Sequence, residues 1–228
     1  MPFRGVAAPL RVSAERQVYE TEATLGGRRL SRMVVDTGDG SAMTVTQEGW
    51  ATTAFASLAT TTALANGLAG PVVSGLAIVP ATTIGGLDAR EVEVRIEPPG
   101  GFSRSIGVAG RIGSGLLQRY RVLLDPAAGR MVLAPGPTAP PPVQRSTSGL
   151  LVGVLPDRLR VLHVMRGSPA EGDGWQAGEL ICSVDGRPVP ADYGSSAMAG
   201  WSIAPPGRVV VLGLCGGGVR RLVTRRFY

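Results

Sequence analysis

The first residues in this chain that could do chemistry are Asp36-Thr37-Gly38, which follow the apolar run Met33-Val34-Val35. A peptide bond can be hydrolysed without a metal or covalent intermediate when two carboxylates share one proton. One carboxylate acts as base on a water while the protonated partner donates to the carbonyl oxygen. Such a site needs an Asp on a tight loop and a Gly that lets a neighbouring loop approach. It also needs a small hydroxyl residue to lock the two loops together. Asp36, Gly38 and Thr37 supply one of each, but no second Asp-Thr-Gly occurs in the sequence. The second carboxylate therefore has to come from elsewhere, and a two-fold symmetric dimer that presents Asp36 twice is the economical source.

Other chemistries find less support. Ser41 and Thr44 have no His or Lys near them in sequence. The only histidine, His163, falls in an alternating stretch far along the chain and reads as a core or strand-face residue, so a Ser-His-Asp triad is not expected. Asp125-Pro126 reads as a turn. Cys182 and Cys215 lack the spacing of a zinc site or a Cys-x-x-Cys pair and read as buried free thiols. No metal and no cofactor are expected.

The elements around Asp36 are short and β-rich. The chain has 228 residues, of which 44% are hydrophobic and only 18% charged, with 33 Gly and 18 Pro, a composition that favours short strands and tight turns. Strand-like runs at 18–25 and 30–35 flank Gly26-Gly27, predicting a hairpin that delivers Asp36 at a strand end. Further strands are predicted at 42–45, 78–79, 92–96, 122–124 and 131–133, with a short helical stretch at 116–120 and an ambiguous segment at 52–68. A proline-rich spacer with Pro137, Pro140, Pro141 and Pro142 divides the chain into residues 1–135, a linker at 136–147, and residues 148–228. The last part shows five strand-like runs and two short helices, one after Pro169 and one between Ala191 and Trp201.

The net charge of +6 does not point to nucleic acid. All 23 basic residues are Arg and they are dispersed, clustering only at Arg220-Arg221 and Arg225-Arg226, as expected of a guarded edge strand. No apolar run approaches the ~18 residues needed to cross a bilayer, and the start at Met1-Pro2-Phe3-Arg4 lacks the pattern of a secretory signal.

Two segments carry a resemblance. Residues 33–41, with Arg111-Ile112-Gly113-Ser114-Gly115-Leu116-Leu117, resemble the retropepsin-like aspartic proteases, in which an apolar-apolar-Asp-Thr-Gly loop is completed by an apolar-Gly segment before a short helix. The resemblance spans residues 1–135. It implies a mainly β, acid-protease barrel lobe with Asp36 as the catalytic carboxylate, Thr37 and Gly38 holding its loop, and Ile112-Gly113 supporting it. It further implies a flap near Gly70, Val72, Val73 and Gly75. Two positions depart from the family pattern: Asp39 stands where Ala or Ser is usual, and Arg111 where an apolar residue is common. The same stretch is also similar to the second lobe of two-lobed bacterial relatives, which would leave this chain without its first lobe and inactive on its own.

Residues 161–170 with 178–186 resemble bacterial PDZ domains, with Glu179 where Asp is commoner. That likeness covers residues 148–228 and implies a small β-barrel with two short helices. It would bind extended or C-terminal peptide segments at Gly149, Leu150, Leu151 and Val152. In that layout Cys182 and Cys215 fall on strands that could be neighbours, which opens a disulfide in an oxidising compartment. Two readings follow: a homodimeric aspartic endopeptidase whose PDZ domain engages polypeptide substrate, or an inactive protease-like scaffold with a peptide-binding module. Relatives of this architecture are exported to the periplasm or secreted, although no signal peptide is visible here.

Overall fold

The structure, a computed structural model, describes residues 3–67, 70–136 and 142–228, and is built mainly of β-strands. Residues divide into two compact units. Met1–Leu58 with Ser74–Val143 form the first, and Ala59–Val73 with Gln144–Tyr228 form the second. Of the prolines expected as a spacer, Pro137, Pro140 and Pro141 lie outside the described residues.

In chain order the first elements are β1 (Val6–Pro9), β2 (Arg11–Val12), β3 (Tyr19–Leu25), β4 (Arg28–Asp36), β5 (Met43–Val45), helix α1 (Gln47–Ala51), β6 (Thr61–Gly67), β7 (Gly70–Ile84) and β8 (Leu87–Ile96). Helix α2 (Phe102–Ser105), β9 (Gly110–Gly113), α3 (Ser114–Leu117), β10 (Tyr120–Asp125) and β11 (Arg130–Pro135) follow. The alternation of β3, with Thr21, Ala23 and Leu25 buried, puts one face on the core, and the Gly26-Gly27 turn returns the chain as β4. Both turn glycines have positive φ.

The ladder runs β3-β4-β9-β5-β8-β7, and β3 pairs again with β7, so the sheet closes into a barrel. Its interior holds Leu25, Met33, Met43, Val79, Ile84, Val94 and Ile112, all inaccessible to solvent. The placement of β9 matters most for Asp36. It lies parallel to β4 and antiparallel to β5, and so separates two strands that are consecutive in sequence. A second sheet orders β1-β11-β10.

In the second unit the strands are β12 (Leu150–Leu155), β13 (Arg158–Val164), β14 (Leu180–Val184), β15 (Arg187–Pro188), β16 (Val209–Leu214) and β17 (Val219–Val223), with helix α4 (Pro169–Gly172). The sheet order is β12-β13-β14-β16-β17, with β15 on β14, and all its pairs are antiparallel. Ser168 caps α4 by accepting from Glu171 N–H, and Pro169 occupies the position where its missing donor costs nothing. The expected second helix is instead two 3-10 segments, Tyr193–Ser195 and Ala197–Ile203, in which Trp201 is buried and donates from Nε1 to Tyr193 Oη at 2.8 Å.

The expected free thiols are not found. Cys182 of β14 forms a disulfide with Cys215, the residue directly after β16, because the pairing of Ile181 with Leu214 brings the two together. The bridge closes a loop of 33 residues. Chain-entropy reasoning gives such a closure about 3–4 kcal/mol. Replacing both cysteines by serine should lower the stability of the second unit by about that amount, as measured by denaturant unfolding with and without reductant. Intact mass under non-reducing conditions should show both thiols oxidised.

Candidate active site

Asp36 ends β4, opposite Gly113 of β9, and the chain turns immediately afterwards. Its Oδ1 accepts from the N–H of Gly38 at 3.0 Å and of Asp39 at 3.2 Å, so the turn orients the carboxylate through its own backbone. Oδ2 is not bound by the turn and lies 3.5 Å from Arg111 Nε. The carboxylate keeps a third of its surface exposed.

Beneath it sits a network that joins the two positions departing from the expected pattern. Arg111 donates from Nε to Asp39 Oδ2 at 2.9 Å, and from the NH1 amine to Glu97 Oε1 at 2.7 Å and Ser103 Oγ at 3.1 Å. Asp39 is wrapped further: Oδ1 accepts from Ser41 N–H at 2.9 Å and Ser41 Oγ at 2.7 Å, and Oδ2 from Thr44 Oγ1 at 2.9 Å. Glu97 in turn accepts from Ser103 N–H and Oγ at 2.9 and 3.1 Å. The side chains of Arg111 and Asp39 are only 15% and 12% exposed, which makes this a nearly buried cation among carboxylates. The exposed ring of Phe102 lies against the guanidinium at 5.4 Å.

Burial pushes the Asp39 carboxyl up, but the bonds from Ser41 and then Arg111 outweigh it and hold it below its ordinary value. For Arg111, burial works against the charge, while Asp39 and Glu97 prevail and raise its proton affinity. Asp39 is therefore a fixed anion in this arrangement, with its oxygens committed to donors, and not a proton-sharing partner for Asp36.

The loop-to-loop lock does not fall on Thr37, whose side chain is exposed and has no hydrogen bond among the described residues. It falls on Asp39 O, which accepts from Ser114 N–H at 2.7 Å and Ser114 Oγ at 2.9 Å. Gly113 is required there, since a Cβ would stand 2.2 Å from Ser41 O and 2.5 Å from Asp39 O. Ile112 is fully buried behind it. Ser41, Thr44, Glu97, Ser103 and Ser114 carry the network, and none was marked as a site residue by the sequence. Ser41 and Thr44 bond Asp39, and Ser103 bonds Glu97, over a few residues, but only Arg111 and Ser114, arriving with β9 and α3, join these local groups into one network. The one local signal was the run of hydroxyl residues around Asp39.

Of the residues expected as a flap, Gly75 packs against Ile96, whereas Gly70, Val72 and Val73 begin β7 in the segment that groups with the second unit. Within that unit Thr61 Oγ1 donates to Arg166 O at 2.7 Å, Thr62 Oγ1 accepts from Arg166 N–H at 3.1 Å, and Thr62 Oγ1 lies 2.8 Å from His163 Nε2. Burial holds His163 below its ordinary value, offset in part by Thr62. Leu150, Leu151 and Val152 lie on β12, an edge of the second unit's sheet, and Gly149 turns into it with φ +82°.

Among the described residues no group of His, Cys, Asp and Glu could hold a metal ion, and no helix is long and apolar enough to cross a membrane. No family model matches the sequence, and no curated protein matches it. Among solved structures the chain is similar to a retropepsin-like aspartic protease from Rickettsia conorii, with 12% identity and a TM-score of 0.37, covering 58% of this chain and 95% of that one.

Two outcomes test the network. Arg111→Leu strands Asp39 and Glu97 without their cation and should destabilise the first unit by about 3–5 kcal/mol. Asp39→Ala with Arg111→Leu should recover a large part of that loss in a double-mutant cycle read by thermal unfolding. Because Asp39 is held below its ordinary value, its contribution to stability is complete above about pH 4 and is lost as pH falls through its folded value. A pH series of melting temperatures should show this acid loss in the unaltered chain and a reduced one in the double variant.

Proposed function

We propose that the first unit is an aspartic endopeptidase that hydrolyses peptide bonds with a water activated between two Asp36 carboxylates, one from each copy of a homodimer. The observation that carries the reading is the geometry of Asp36. It stands at a strand end with one oxygen fixed by two backbone N–H groups, the other turned out of the turn, and a third of its surface open. The insertion of β9 between β4 and β5, with Gly113 pressed on the Asp39 carbonyl, supports it by making the loop rigid. A fixed carboxylate is what general acid–base work needs. Thr37 and Gly38 complete the turn, and Thr37, exposed in one chain, is free to bond across the two-fold axis.

The second unit is proposed to be a PDZ-like holder of polypeptide that raises the local concentration of substrate. The open edge at β12 supports this. The Cys182–Cys215 bridge favours an oxidising compartment, periplasmic or extracellular.

A second reading, an inactive scaffold that only binds peptide, is favoured by one specific contact. Arg111 Nε approaches Asp36 Oδ2, the oxygen a dimer partner would have to share, and competes for it.

Asp36→Asn decides between the two. In the enzyme, cleavage of an unfolded protein substrate at mildly acid pH should fall by about a thousandfold or more while the fold and peptide binding persist. Cleavage that survives the change sinks the assignment. Sedimentation at assay concentration should show a dimer in the active preparation, because a strict monomer has one Asp36 and cannot assemble the pair.

A further inference from the structure

The five consecutive N–H groups of residues 146–150, which lead into β12, all have acceptors inside the chain. Ser146 N–H donates to Tyr228 Oη at 3.2 Å, Thr147 and Ser148 N–H both to Ser202 O at 3.0 and 3.1 Å, Gly149 N–H to Ser146 Oγ at 2.9 Å, and Leu150 N–H to Ser148 Oγ at 3.1 Å. A loop that captures a peptide's terminal carboxylate does so with converging N–H groups that lack other partners. This loop has none to offer.

Nor is the loop built to rearrange. A Cβ on Gly149 would stand 2.0 Å from Ser168 Cβ, and Ser148 and Ser168 are both buried. Ser148 O accepts from Ala170 N–H at 3.1 Å and Gly149 O from Met165 N–H at 2.8 Å, so the carbonyls on the same stretch are also engaged.

The strand that follows is different. β12 terminates its sheet, and in an antiparallel ladder alternate residues turn both N–H and C=O away from the paired neighbour. Among the described residues no turn, loop or side-chain bond reaches residues 151–155 from elsewhere. Edges are ordinarily guarded by charge or proline. The opposite edge, β17, carries Arg220 and Arg221, whereas β12 is Leu-Leu-Val-Gly-Val-Leu, with Leu151 and Val154 exposed and Leu162 of β13 exposed beside them. One edge is thus protected and the other is an apolar template with free backbone groups.

We infer that the second unit takes an internal stretch of extended polypeptide, apolar at alternate positions, as an added strand along β12, and does not read a free chain end. This rests on the proposal that the unit holds peptide. It fits the needs of an endopeptidase, whose substrates are cut away from their termini.

The test uses the full chain carrying Asp36→Asn, so that the probe is not cut. The probe is a fluorescein-labelled peptide of alternating valine and threonine flanked by lysines, made as the free acid, as the C-terminal amide, and with N-methyl groups on alternate backbone amides. Fluorescence anisotropy should give acid and amide affinities within about twofold, and a loss of about tenfold or more when the methylated amides are those that pair with β12. A free acid that binds about tenfold tighter than the amide overturns the inference and leaves the peptide-holding proposal standing. Affinity indifferent to N-methylation also overturns it, since the peptide is then not held as a strand. Binding by none of the three forms sinks the peptide-holding proposal, and the inference with it.

Discussion

The Asp36 loop depends on one guanidinium. Arg111 touches Asp39 and Glu97 directly and Asp36 at longer range, and it does so from β9, the strand threaded between β4 and β5. Nearly buried charges are tolerable only when each is paired and its remaining hydrogen-bonding capacity is filled. The hydroxyls of Ser41, Thr44 and Ser103 fill it here. Because Asp39 must point at Arg111, the turn cannot swing, and the backbone N–H groups that orient Asp36 are fixed as a consequence. The position of the exposed carboxylate is thus set by a charge pair it does not itself need.

This places the two departures from the retropepsin-like pattern in a single interaction. Taken position by position, an extra acid at 39 and a base at 111 each look damaging. Seventy-two residues apart in sequence, they meet at 2.9 Å; Asp39 without Arg111 would be an uncompensated charge in the barrel wall, and Arg111 without Asp39 would keep only Glu97. Replacing both by a well-packed apolar pair is the alternative solution to the same packing problem. Such ion pairs are weak evidence for added stability, so their value here lies in fixing one loop conformation among several.

How much of this was legible in the sequence depends on whether the information was local. The β3–β4 hairpin is written in Gly26-Gly27 between alternating runs, and Asp36 at its far end follows from counting along β4. Residues 52–68 were ambiguous because their small polar side chains favour neither period. They prove to contain turns after α1 and then β6. Non-local pairings were not legible. The disulfide needed the β14–β16 register, the Asp39–Arg111 pair needed β9 to sit beside β5, and the N–H groups of Ser146, Thr147 and Ser148 needed Ser202 and Tyr228 to arrive from the far end of the unit. The resemblance placed the binding of extended or C-terminal peptide at Gly149 and the residues after it. A glycine says only that the backbone turns there, not where its donors go.

The network under Asp36 also bears on whether acid chemistry is possible at all. A shared-proton pair operates where carboxyl groups are partly protonated, which is where a structural carboxylate would ordinarily begin to fail. Asp39 escapes this conflict because Ser41 and Arg111 hold its proton affinity down against the effect of burial. It therefore stays charged through mildly acid conditions and keeps Arg111 engaged. Two carboxylates three residues apart are so given different environments, one a third exposed with Oδ2 met by Arg111 at longer range and one enclosed by donors. On the proposed reading, separating the environments of the two acids would give Asp39 to structure and leave Asp36 for proton transfer.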